Sequence, residues 1–253
     1  MKKGRCISWI ACMPMFRLKP MIYDTLASYY DALVKDEEAT LSWVHWIESF
    51  QKPCSMLELA CGSAEITQVL SHHGFQMTAL DLSQGMIDQA KRKDKELKIQ
   101  FECQDMRNLS NLPSFESIAC LCDSFNYILE KEEIVSFFKE VHDHLQPEGI
   151  FFFDSHSLDR LDEFSEEFNE TGHIEDVDYQ WSITSEEEII YQDFAFYKEN
   201  GEVIQEHHMQ RVYDPECLKE ALHPYFYIES IKTDFDLEGI QPGEKYFFVC
   251  RRK

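Results

Sequence analysis

Between residues 54 and 155, five apolar runs alternate with helical segments, and this alternation constrains the fold more than any other feature of the chain. The runs are "CSMLELA", "FQMTALD", "IQFECQD", "SIACLCD" and "GIFFFDS". Among them lie "AEITQVLSHH", "SQGMIDQAKRKDK" and "KEEIVSFFKEVHDHL", in which apolar residues recur at three-to-four spacing, the period of a helix with one buried stripe. Strands and helices in this order predict a mainly parallel sheet covered on both faces. Right-handed crossovers then bring the carboxyl ends of the strands to one edge, where ligands of such sheets bind.

Two helices are expected before the first strand. In "MIYDTLASYYDALV" the residues Tyr23, Leu26, Tyr30 and Leu33 form an apolar stripe, and "ATLSWVHWIESF" stops before Pro53. The first 20 residues begin like a secretion signal, but Pro14 interrupts their apolar stretch and Arg17 and Lys19 follow, so they read as a loosely held extension. After residue 157 the pattern changes. "IIYQDFAFYKENGEVIQEHHMQRVY" is two extended runs meeting at Asn200-Gly201, a dipeptide that tolerates the positive φ of a tight hairpin turn. A helix in "DPECLKEALHPY" and strands in "FYIESIKTDF" and "KYFFVCRR" complete the chain. The expected organisation is one domain over 21–253, with 157–213 an inserted acidic segment and hairpin that returns to the same sheet.

The chain carries 24 Lys and Arg against 47 Asp and Glu, a formal charge of −23, with much of the acid in residues 157–190. Affinity for nucleic acid comes mainly from neutralising phosphates with Lys and Arg, so nucleic acid is not expected as a partner. The nine cysteines are scattered without a CxxC framework, which fits a reducing compartment such as the cytoplasm. No segment reads as a membrane span, since the apolar part of the N-terminus is too short.

"MLELACGSAEIT", residues 56–67, narrows the ligand. It is a strand, a turn and a helix start, as a nucleotide-binding loop requires, with Gly62 as its one glycine. A dinucleotide fingerprint needs three, the later ones making room for a pyrophosphate on the helix N-terminus. Glu58 would repel a pyrophosphate and welcome a cation. The second strand ends in Asp81, 19 residues past Gly62, where an acid can accept from ribose hydroxyls. The third leads into Asp105 and Met106, suited to an adenine amino group and ring, and the fourth into Asp123 and Asn126. Any one such acid is more often a helix cap or a solvated loop residue. Four successive strand ends with one each point to a ligand holding a ribose, an adenine and a positive centre, as S-adenosylmethionine does.

These motifs resemble those of class I S-adenosylmethionine-dependent methyltransferases. "LELACGSAE" matches the glycine-bearing first motif, "ALDLSQGMIDQAKRK" the ribose motif, "CQDM" the adenine motif and "HLQPEGIFFFDSHS" the fifth-strand region. Within the family, "YDTLASYYDAL", "LCDSFNYI" and "HHMQRVY" resemble small bacterial members whose substrates are unassigned. The resemblance implies an α/β, Rossmann-like seven-stranded sheet, mostly parallel with an antiparallel C-terminal strand. It implies S-adenosyl-L-methionine as cofactor, held by Glu58, Ala60, Gly62, Asp81, Leu82, Met86, Asp105, Met106 and Cys122. Ala60 and Ala64 depart from the pattern, because the family usually has glycine at both.

Methyl transfer from a sulfonium is an in-line displacement, so alignment and exclusion of water dominate, and a base is needed only when the acceptor arrives protonated. Candidate catalytic residues are Asp123, His156 and Tyr30. His156 could take a proton or simply bond a loop carbonyl, and Tyr30 could cover the cofactor or belong to the core. Asn126, His207 and Arg211 are candidate substrate contacts, Arg211 as a clamp for a carboxylate. In "EHHMQR", His207, Met209 and Arg211 share one side of a strand while Glu206, His208 and Gln210 share the other. The hairpin could line the cleft or form a homodimer surface. Adjacent strand residues point apart, so His207 and His208 make no metal pair, and no metal is expected.

The "CLCDSFN" run is not the Asn/Asp-Pro-Pro-aromatic loop associated with methylation of amino groups in planar targets. A small-molecule nitrogen or oxygen acceptor is therefore expected. The alternatives are a methyltransferase acting on a protein or RNA partner, a non-catalytic cofactor-binding module, and, disfavoured by the missing glycines, an NAD enzyme.

Overall fold

The computed structural model describes residues 29, 36–96 and 98–253. The expected N-terminal extension, and all of the first expected helix except Tyr29, lie outside them. Chain order is α1 (Glu37–Phe50), β1 (Ser55–Leu59), α2 (Glu65–His72), β2 (Gln76–Asp81), α3 (Gln84–Lys93), β3 (Gln100–Cys103) and β4 (Phe115–Cys120). A single 3₁₀ turn (Ser124–Tyr127), α4 (Lys131–His144), β5 (Leu145–His156) and α5 (Asp159–Glu163) follow. Then come β6 (Phe168–Ile174), β7 (Val177–Glu186), β8 (Ile189–Lys198), β9 (Val203–Arg211), α6 (Pro215–Leu222), β10 (Phe226–Thr233), β11 (Leu237–Glu238) and β12 (Lys245–Arg252).

The main sheet runs β11-β10-β12-β5-β4-β1-β2-β3. Strands β1 to β5 are parallel to one another, and β12 runs antiparallel between β5 and β10. The order reverses between β1 and β4, which places a crevice over the tips of these two strands. Among the described residues this sheet has eight strands rather than seven. The additional one, β11, is two residues pairing with the end of β10, too short to leave a periodic pattern in the sequence.

Both faces of this sheet are buried, so its strands are nearly continuous in apolar residues. Leu57, Leu59, Ile118, Cys120, Phe151 and Phe153 pack beneath α4 and α6. Met56, Met77, Ala119, Phe152 and Phe247 pack beneath α1 to α3, with Trp43, Val44 and Ile47 of α1. Phe153 stacks on Phe248 across β5 and β12 at 4.6 Å between ring centroids; each such fully buried ring contributes about 1.5–3 kcal/mol from removal of apolar surface from water. The helix starts are encoded locally: Asp36, Ser83 and Asp214 accept hydrogen bonds from first-turn N–H groups of α1, α3 and α6, and Pro215 occupies the first turn of α6, where its missing N–H costs nothing.

The hairpin does not return to the main sheet. β8 and β9 belong to a separate antiparallel sheet, β6-β7-β8-β9. The acidic stretch supplies its other two strands, with Phe168 opposite Ile183 and Ile174 opposite Val177. Two small apolar clusters under the sheet explain why it stands apart: Ile174, Val177, Phe194 and Phe196 with Tyr29, and Phe164, Ile183, Ile190 and Val212. Among the described residues, no helix is long and apolar enough to cross a membrane.

Candidate active site

The loop after β1 turns by three left-handed residues in five: Ala60 (φ 51°), Gly62 (φ 54°) and Ala64 (φ 68°). Only glycine adopts this conformation without a steric cost from Cβ, so both alanines are held there by their surroundings. Part of that hold is visible. The Cys61 N–H donates to the Leu80 carbonyl at 2.9 Å, and the Gly62 N–H donates to Asp81 Oδ2 at 2.9 Å. The small Ala64 directly precedes α2, whose N-terminus faces the crevice with its positive dipole end.

Two carboxyl groups are buried beside this loop. Glu58, on β1, accepts from Thr67 Oγ1 at 2.5 Å. Burial pushes its carboxyl up to about 7; Thr67 opposes the shift and Asp81 adds to it. Asp81, at the end of β2, is raised by burial against the N–H groups of Ser83 and Gly62 that favour its ionised form. No ion pair to a Lys or Arg forms at either acid among the described residues. An adenosyl sulfonium with an amino group would supply the missing positive charge, and Asp81 has lone pairs left for ribose hydroxyls. The residues therefore fit S-adenosylmethionine.

The other proposed cofactor contacts divide. Leu82 is 61% exposed at the mouth of the edge. Met86 is buried on α3, its N–H on Ser83 Oγ, and so lies in the packing behind the loop. Asp105 is engaged by Arg107, whose guanidinium bonds both carboxylate oxygens and reaches Glu133 as well. Burial tends to raise the Asp105 carboxyl, but Arg107 outweighs it and holds it below its ordinary value. Any contact from Asp105 to an adenine amino group must share the carboxylate with Arg107. Met106 packs against the core, its sulfur 4.0 Å from Cys120 Sγ.

A second polar cluster is built after β4 and β5. Cys122 (φ 55°) and Asp123 (φ 58°) are consecutive left-handed residues, and Cys122 is exposed. Such strain persists only where neighbours over-determine it. Here the Asp123 N–H donates to Asp154 Oδ2 at 2.9 Å, and Lys245 Nζ contacts Asp123 Oδ1 and lies 3.6 Å from Asp154 Oδ2. Lys245 opposes His156 in the β12–β5 register, and Asp154 lies two residues back on the same strand, so the three share one face of the sheet. Burial would raise the Asp123 carboxyl, but Lys245 and then His156 outweigh it and hold it well below the usual range. Burial pushes Asp154 up, with Lys245 opposing. The Lys245 ammonium is stabilised by the two acids against its own burial.

His156 is buried, with Nε2 3.1 Å from Gln210 Oε1 and 3.9 Å from Asp123 Oδ2. Burial lowers its pKa, with Asp123 opposing.

Three proposed substrate contacts are otherwise employed. Asn126 is fully buried, donating to Ser155 Oγ at 3.1 Å and the Arg211 carbonyl at 2.6 Å and accepting from the His156 N–H at 3.1 Å. It ties β5, β9 and the 3₁₀ turn together. Arg211 donates to the Leu129 carbonyl and to Glu188. His207 is exposed and pairs with Asp193. The inward side of β9 is the opposite one: Glu206, His208 and Gln210 are buried, and His208 Nδ1 lies 3.2 Å from Tyr127 Oη. Alternation separated the two sides in sequence but could not say which faced in. Lys245 and Asp154 carry no sequence signal of their own, Lys245 following Glu244 at the start of a terminal strand and Asp154 closing an apolar run. Tyr30 lies outside the described residues, and no group of three or more potential metal ligands occurs among those described.

Residues 56–149 match the family described as a methyltransferase domain. A crystal structure of an S-adenosylmethionine-dependent methyltransferase from Clostridium acetobutylicum superposes with a TM-score of 0.76 at 26% identity, covering 90% of this chain and 98% of that one. YqeM of Bacillus subtilis, named as a methyltransferase, is 34% identical over 92% of this chain and 98% of its own length. The chain belongs to the class I S-adenosylmethionine-dependent methyltransferases. The sugar N-methyltransferase KedS8 of a Streptoalloteichus species shares the methyltransferase fold at 19% identity, with a TM-score of 0.73 over 100% of this chain and 99% of that one. The cofactor of the methyltransferase is S-adenosylmethionine, and the β1 loop, Glu58 and Asp81 are the groups whose chemistry suits it.

Proposed function

We propose that the enzyme methylates a nitrogen or oxygen of a small-molecule acceptor by direct displacement, the acceptor lying between the tips of β4 and β5 and the buried side of β9. The observation that carries this reading is the meeting of Asp123, His156 and Gln210 at one point of the carboxyl edge, next to the loop suited to the cofactor. Bound S-adenosylmethionine supplies an electrophilic methyl group on a positively charged sulfur. The protein's own part is to align, to dehydrate and to remove a proton. Alignment can contribute roughly 7–11 kcal/mol in favourable cases.

Asp123 is held ionised by Lys245 and can accept a hydrogen bond from an acceptor N–H or O–H. His156, kept neutral by burial, is the candidate base. Likeness in fold to KedS8 and the formal charge of −23 support a small acceptor over nucleic acid. The reading takes 21–253 as a single catalytic domain with 157–213 inserted.

Incubation with methyl-labelled cofactor and separate pools of amines and hydroxylated metabolites tests it. Label should move to one pool, and Asp123→Ala should abolish transfer while cofactor affinity stays intact. Transfer to protein or RNA fractions alone would refute the small acceptor, and transfer to none would leave a binding module.

A further inference from the structure

The environment of His156 fixes which ring nitrogen carries the proton. Gln210 Nε2 lies 3.2 Å from the Asp123 carbonyl, an atom that can only accept, so the amide nitrogen must be the atom facing it. The other end of the amide, Oε1, receives Gln192 Nε2 at 2.7 Å. Because Oε1 can only accept, the His156 Nε2 atom 3.1 Å away must be its donor. Nδ1 of the neutral ring is then a bare lone pair. It is buried and has no hydrogen-bond partner, and the residue as a whole is only 4% exposed. A buried acceptor without a donor costs free energy that a substrate hydrogen would recover.

We propose that Gln210, oriented by the Asp123 carbonyl and by Gln192, is a positioning residue that holds His156 as the Nε2–H tautomer, so that Nδ1 is the atom receiving the acceptor's proton. This rests on the reading of His156 as the base. In the step, the acceptor's N–H or O–H bond breaks, its electron pair stays on the acceptor atom, and the proton joins the Nδ1 lone pair to give an imidazolium. The proton leaves to solvent after turnover. The charged and polar groups acting on the ring are Asp123 from the segment after β4, Lys245 from β12, Arg160 from α5 and Gln210 from β9; Asn126 accepts from the backbone N–H of His156, not from its ring. Burial disfavours the imidazolium most, Asp123 and Gln210 favour it, and Lys245 and Arg160 oppose it.

The direct test is long-range ¹H–¹⁵N correlation of the imidazoles in the ¹⁵N-labelled full chain at pH 8, with His156 assigned by its loss in His156→Gln. A protonated Nε2 and an unprotonated Nδ1 are expected; the reverse would overturn the proposal whether or not any Gln210 variant folds. Gln210→Leu should mix the tautomers and lower kcat by about 10-fold or more, general-base catalysis being worth 10²–10⁴, with the Kd for S-adenosylhomocysteine unchanged. Gln210→Glu should stabilise the imidazolium through Nε2–H and move the acid limb of kcat/KM up by about one pH unit. An unmixed tautomer in Gln210→Leu refutes the role of Gln210. The expected tautomer with rates indifferent to both substitutions refutes His156 as the base, and with it the proton transfer to Nδ1.

Discussion

Replacing Lys245 by Met probes the Asp123–Asp154 cluster most severely. The ammonium contacts Asp123 and lies 3.6 Å from Asp154, whose side chain is fully buried, and it sits 5.8 Å from the Trp43 ring centroid. Methionine fills much of the same volume, so the loss is mainly electrostatic. Removing one partner of a buried ion pair costs about 3–5 kcal/mol, because an uncompensated charge remains. Here two acids remain, but Asp154 is already pushed up to about 7 and can take a proton, which caps the cost near that range.

The sign with pH follows from the same groups. Asp123, held low in the folded state, contributes stability above its ordinary value near 3.8 that is lost as pH falls through its folded value. In Lys245→Met that contribution disappears and both carboxyls bind protons more readily than in the native protein. The destabilisation should therefore be largest at pH 7.5 and shrink by about 1–2 kcal/mol at pH 5.5, as protonation relieves the repulsion. Urea unfolding followed by tryptophan fluorescence measures both. Adding Asp123→Asn should return part of the loss in a double-mutant cycle. A cost below about 1 kcal/mol at pH 7.5, or one indifferent to pH, would refute the reasoning.

Other outcomes follow from the cofactor side. Asp81→Ala should weaken S-adenosylhomocysteine binding by about 1–3 kcal/mol, the scale of hydrogen bonds to a charged group, and unchanged affinity by calorimetry would remove Asp81 from the ribose. Ala60→Gly and Ala64→Gly relieve left-handed backbone at φ 51° and 68° and should each raise unfolding stability by up to about 1 kcal/mol, read from the urea midpoint; a loss would show the alanine methyl groups packing usefully there. Arg107→Ala should raise the Asp105 pKa toward its ordinary value, seen by carboxyl ¹³C titration, because the guanidinium that holds it low is gone.

The sheet was legible because burial on both faces leaves an apolar run for each strand, and "KYFFVCRR" coincides with β12, Lys245–Arg252. The four-stranded sheet was half legible. Asn200-Gly201 marked its hairpin, whereas the charges of residues 157–190 hid β6 and β7. β6 is an edge strand exposed along most of its length and has no pattern to give. In β7, however, Val177, Tyr179, Trp181 and Ile183 alternate with polar residues, a period of two that was available.

The acids proposed for the cofactor lie at strand ends, a local property that sequence displays. The cluster proposed for the acceptor depends on which way β9 faces and on pairings across 122 residues, such as Lys245 with Asp123, which no local pattern encodes.

Proton-linked calorimetry tests the central claim, that Glu58 and Asp81 form a buried anionic seat for a positively charged adenosyl ligand. S-adenosylmethionine is titrated at pH 7 in buffers of different ionisation enthalpy, with the native chain and with Glu58→Gln. With its carboxyl at about 7, Glu58 is about half protonated without ligand and must ionise beside the cation, so the native chain should release about half a proton more than the variant. Equal proton release by the two proteins, or NAD binding as tightly as S-adenosylmethionine, would contradict it.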